Sequence, residues 1–105
     1  MKTKREAERT GQALLKRMKG KGWKLSVVNR HGNWIWQLIL ANRLIVSPTF
    51  PNHKRCQAWM GPDFRGDTHL YHSPNRAVEA QVRIARKYVA SLCEIMGQIE
   101  KALNG

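Results

Sequence analysis

The sequence predicts an α+β domain with the element order α-β-β-β-α. Apolar residues recur at helical spacing near both ends of the 105-residue chain. Between them, three runs with strand-like alternation are separated by short turns. A long irregular stretch then parts the third run from the last helical pattern. The length suits one domain over residues 1–105 that buries roughly two thirds of its unfolded surface.

Thr3-Lys4-Arg5-Glu6 reads as a capping box, in which a hydroxyl accepts the amide three residues on and the acid reaches back. Ala7, Gly11, Leu14, Leu15 and Met18 follow on one face, and Gly20 and Gly22 end the pattern. That predicts a helix over about residues 4–19. Trp23, Leu25 and Val27 alternate with Lys24, Ser26 and Val28, and Asn29-Arg30-His31-Gly32-Asn33 supplies a hairpin loop with its glycine. Trp34, Trp36, Leu38 and Leu40 alternate with Ile35, Gln37 and Ile39, and Ala41-Asn42-Arg43 makes a second turn. Leu44-Ile45-Val46-Ser47 forms the third strand of an antiparallel meander, stopped by Pro48. Trp23, Trp34 and Trp36 share the core phase, which leaves Trp59 as the better candidate for stacking on a base.

Residues 48–72 form the irregular loop, within which Arg55-Cys56-Gln57-Ala58-Trp59-Met60 is a candidate for one further short strand. Ser73-Pro74 then opens the last helix as N-cap and first helical residue. Val78, Val82, Ala85, Val89, Leu92, Met96, Ile99 and Leu103 follow at alternating gaps of four and three. A helix of about thirty residues is roughly 45 Å long, whereas a sheet of six-residue strands spans about 20 Å. Unless Gly97 breaks it, the far half needs another surface.

Charge separates the possible functions. Nineteen Lys and Arg face seven Asp and Glu, for a net charge of +12. Residues 1–30 hold ten basic and two acidic groups, while residues 61–105 are nearly balanced with six and five. Basicity concentrated in one helix and its following turn is the footprint of a phosphate-binding surface. Arg5, Arg9, Gln12, Lys16 and Lys19 form one predicted stripe, extended by Lys21 and Lys24. On the last helix, Arg76, Arg83 and Lys87 lie within one face, with Glu79 positioned to pair with Arg83. These nine cations are the expected nucleic-acid contacts, and an acidic protein partner is the alternative. A membrane surface fits poorly, because the first helix has little apolar bulk and no aromatic anchor. No apolar run approaches the length of a membrane span, and the start of the chain lacks an apolar signal core. Two cysteines, Cys56 and Cys93, are too few for a disulfide framework and suit a reduced, cytoplasmic setting.

His53, Cys56, His69 and His72 make an H-x2-C-x12-H-x2-H pattern. Tetrahedral zinc accepts imidazole and thiolate, so zinc is the metal this set would hold; the competing reading is surface histidines that assist phosphate contacts. Asp63 and Asp67 beside His69 and His72 show no nuclease spacing, and no Gly-rich phosphate loop follows a strand. No catalysis is expected.

The order α-β-β-β-α with basic helices resembles a double-stranded-RNA-binding domain, a resemblance that implies duplex contacts by both helices and one loop. The Gly-Pro-x-His loop of that family is replaced by Asn29-Arg30-His31-Gly32-Asn33, and its Lys-Lys-x-x-Lys helix start is echoed only by Pro74-Asn75-Arg76. Gly32-Asn33-Trp34-Ile35-Trp36-Gln37-Leu38 through Val46-Ser47, then Tyr71-His72-Ser73-Pro74, looks like the β-β-β-α modules of the AP2 and YegP-like type. No site residue is carried over from either family. In AP2-type domains the sheet reads the major groove, but here its outer face would carry Lys24, Ser26, Val28, Ile35, Gln37, Ile39, Ile45 and Ser47, half of them aliphatic. That face is expected to be half buried, beneath the 48–72 loop or against a second subunit. A homodimer is expected from this outer face and from the distal seam Leu92, Met96, Ile99 and Leu103, unless the first helix folds over that seam.

Overall fold

The chain turns between strands through left-handed backbone at two places, Asn29 to Asn33 and Leu40 to Leu44. In the computed structural model, which describes residues 2–49, 55–60 and 70–104, His31 and Gly32 have φ of 54° and 82°. They join β1 (Lys24–Arg30) to β2 (Asn33–Leu40) with the two-residue geometry whose twist matches that of the strands. Ala41 and Asn42, at φ of 54° and 55°, turn β2 into β3 (Leu44–Pro48), and the Arg43 amide donates to the Leu40 carbonyl at 3.0 Å.

The sheet has four strands, not three, because Cys56–Met60 pairs antiparallel with β3 as β4. The order is β1-β2-β3-β4, so β1 and β4 are its edges. Cys56 also bridges Tyr71, with backbone bonds of 2.7 and 2.9 Å in the two directions. Register places Leu25 opposite Leu38, Leu38 opposite Val46, and Val46 opposite Ala58. One face of the sheet is therefore continuously apolar.

Both helices cover that face. Helix α1 (Lys4–Leu15) begins as its capping sequence dictates, with the Thr3 hydroxyl accepting the Glu6 amide at 3.1 Å. It buries Ala7 and Gly11 and packs on β1 and β2, while Leu14, Leu15 and Met18 lean on the core of Trp36, Leu38 and Val46. It stops at Leu15, four residues short of the expected end. The chain tightens there into 3₁₀-type bonds from Arg17 to Leu14 and from Met18 to Leu15. Asn75 then holds the exit, accepting the Lys19 amide at 3.0 Å and donating to the Arg17 carbonyl at 2.9 Å. Trp23 adds a third tie, its indole N–H donating to the Lys19 carbonyl at 3.0 Å.

Helix α2 (Pro74–Asn104) runs unbroken through Gly97. The Ser73 carbonyl accepts the Ala77 amide, which puts Ser73 at the cap position and Pro74 first in the helix, as expected. Only its first turns meet the sheet: Ala77, Ala80 and Gln81 are buried, and from Arg86 to Asn104 every residue is exposed. The first helix does not fold over this distal half, since it lies on β1 and β2.

The opposite face of the sheet is less open than a reading surface would be. Ile35 is 3% exposed and Gln37 and Ser47 are each 9% exposed, while Val28, Ile39, Ile45 and Trp59 are half buried. Trp59 stands in β4, opposite Ile45, rather than in a loop.

Gly11 sets how closely α1 approaches the sheet. A Cβ there would land on the Leu25 side chain and 3.0 Å from Trp36 Cβ. Gly11→Val should therefore destabilise the fold by about 1–3 kcal/mol, read from the urea midpoint at unchanged slope. An unchanged or higher midpoint would show that α1 does not pack at this distance.

Candidate nucleic-acid interface

An α-helix that buries Ala7 and Gly11 must turn Arg5, Arg9, Gln12 and Lys16 outward, and all four are exposed. Along the free edge of β1 this produces an open groove of about 550 Å³. Lys4, Arg5, Glu8, Arg9 and Gln12 form its walls, and Leu25 and Val27 form its floor. Lys4, which the charge pattern did not single out, also places its ammonium 5.9 Å from the centre of the Trp34 ring. Three cations against one carboxylate make the groove electropositive.

A second cationic region forms at the junction of the helices. Lys19 lies beyond the end of α1, so it leaves the predicted stripe and instead faces α2, where its ammonium meets Glu79 at 3.4 Å. Glu79 thus pairs with Lys19 rather than with Arg83. Both partners are largely exposed, so the pair contributes little to stability. Arg76, Glu79, Arg83 and Lys87 succeed one another at three- and four-residue spacing and share one stripe of α2. The Asn75 clamp and the Lys19–Glu79 pair tie the start of this stripe to the 17–19 segment, whose neighbours Lys16 and Lys21 are exposed.

Lys24 does not join either region. It pairs with Ile39 in the ladder and lies on the sheet face away from the helices, out of phase with Leu25 and Val27. Seven of the nine expected contacts therefore fall into two neighbouring regions: Arg5 and Arg9 in the groove, and Lys16, Lys21, Arg76, Arg83 and Lys87 at or beyond the junction. Lys19 is held in an ion pair, and Lys24 is displaced to the other face. Among the described residues, Lys19–Glu79 is the only ion pair.

Of the four residues in the histidine–cysteine pattern, His53 and His69 lie outside the described residues. His72 is exposed. Cys56 is 3% exposed within the core cluster, and its thiol donates to the Tyr71 carbonyl at 3.4 Å. Burial pushes this thiol up from its ordinary value to about 11. No group of three potential metal ligands occurs among the described residues. Asp63 and Asp67 also lie outside them. No described helix is long and apolar enough to cross a membrane.

Comparison with known proteins adds no relative: no family model, curated protein or solved structure matches the chain.

The two cysteines should differ sharply in reactivity. A maleimide at neutral pH should modify exposed Cys93 quickly and leave Cys56 intact until the protein is unfolded. Because the folded thiol titrates above its ordinary value, stability from this group is present below about pH 9 and is lost as pH rises toward 11. Rapid labelling of Cys56 in the folded protein would contradict the burial of its thiol.

Proposed function

We propose that this chain is a non-catalytic nucleic-acid-binding protein that grips the phosphate backbone, preferentially of a duplex. The cations of α1, the 16–21 connection and the start of α2 make the contacts. The observation that carries this reading is the concentration of unpaired cations on the helices, where one Lys–Glu pair is the only internal neutralisation among the described residues. Cations in stripes follow a regular phosphate backbone, displacing condensed counterions. Single strands are disfavoured because Trp36 is buried, Trp23 packs against the core, and Trp59 is half buried in the ladder opposite Ile45, so none of the three offers an open stacking platform. The half-buried outer face of the sheet argues against groove reading by the strands. Phosphate contact by itself does not discriminate sequence.

A second reading rests on the groove. The outer edge of β1 is an edge of the sheet, and beside it lie an apolar floor and a cationic wall. An extended acidic peptide could pair with the strand and set its carboxylates against Arg5 and Arg9. An acidic protein partner is the alternative this geometry favours.

Binding of a random-sequence duplex should weaken with salt at a log–log slope of about −4 to −5, as four to six phosphate contacts require. Charge reversal at Arg9 and Lys16 together should abolish most of that binding and leave the circular dichroism spectrum unchanged. Duplex affinity indifferent to salt and to both substitutions, beside tight binding of a poly-glutamate peptide, would overturn the first reading in favour of the second.

A further inference from the structure

The projecting half of α2 carries a seam that the single chain leaves uncovered. Val89, Leu92, Met96, Ile99 and Leu103 are between 43% and 79% exposed, yet they keep to gaps of three and four without a slip. A repeat of 3.5 residues is shorter than the 3.6 of a straight helix, and its natural complement is another helix wound around it. Flanking charge selects the occupant. Along one side of the seam stand Arg86, Cys93 and Glu100, each seven residues from the next. A parallel pairing of two copies sets Arg86 and Glu100 against Gln81 and Ile95 and matches no charges. An antiparallel pairing sets Val89 opposite the partner's Ile99 and Leu92 opposite the partner's Met96. The same register brings Arg86 to the partner's Glu100, and Glu100 to the partner's Arg86. It also overlaps the exposed stretch 86–104, about 28 Å of helix, with itself along nearly its whole length. Ala85 then faces the partner's Leu103, a small residue receiving a large one where the sheet-bound part of the helix begins.

We propose that α2 is the dimerisation element of this protein, pairing antiparallel with α2 of a second copy about a two-fold axis beside Cys93. Seam and charge agree on one register, and a self-complementary, isologous patch of this kind closes as a dimer. The inference is independent of what the cationic regions bind.

Sedimentation of the full chain at tens of micromolar should report a dimer. Met96→Glu with Ile99→Glu should give a monomer that keeps the β-sheet signal, because these side chains lie outside the core. Arg86→Glu and Glu100→Arg should each weaken the dimer by about tenfold, since the symmetry puts two repulsive contacts in every dimer, and combining them should restore affinity to within a few-fold. A short bismaleimide should join Cys93 to the partner's Cys93. A monomeric or higher-order parent protein, a combined variant as weak as the single ones, or no Cys93–Cys93 product would overturn the proposal.

Discussion

Everything else in this structure depends on one apolar sheet face being shared by two helices. Trp36, Leu38 and Val46 lie at its centre with at most 3% exposure, and fully burying such a side chain is worth about 1.5–3 kcal/mol. The sheet is only four strands wide. Helix α1 takes β1 and β2, α2 takes β4 and part of β3, and Gly11 allows the closer approach on the first side. Each helix then has one face committed to the core, and its cations must stand on the other. The electropositive surface is thus a consequence of how the core is covered.

The same constraint explains why α2 divides in character along its length. Small residues, Ala77 and Ala80, let its first turns lie flat on β4. Beyond Gln81 the helix continues past the core, so the heptad seam, which touches the core only at Val78, has no intramolecular surface left to cover. If two copies pair there, with the axis at mid-projection, the two heads and their cationic regions would lie at opposite ends of a short helical rod. A long duplex would then meet twice the number of phosphate contacts.

Local rules reached as far as local interactions determine the outcome. The capping hydroxyl of Thr3, the glycine hairpin at His31-Gly32 and the Ser73-Pro74 helix start were legible because each is closed within a few residues. The end of α1 was not, because Asn75 sets it from more than fifty residues away. Lys19 consequently left the stripe and found Glu79, a pairing that intrahelical spacing had assigned to Arg83. The fourth strand was ambiguous in sequence, since Cys56–Met60 owes its pairing to β3 rather than to its neighbours along the chain. Lys24 could have been placed from strand alternation alone, which puts it on the face opposite Leu25 and Val27. Burial of the Cys56 thiol was not legible in its spacing from the histidines, because it depends on β4 pairing with β3 and on the bridge to Tyr71.

The most direct measurement is a map of amide chemical shifts during titration with a short duplex. Contact through the helices requires the shifts to gather in residues 4–16, in the 17–21 connection and in residues 75–87, with Ser26, Gln37, Ile39 and Ile45 unmoved. Shifts gathered on those four sheet residues and Trp59 instead, or no shifts at saturating duplex, would contradict it.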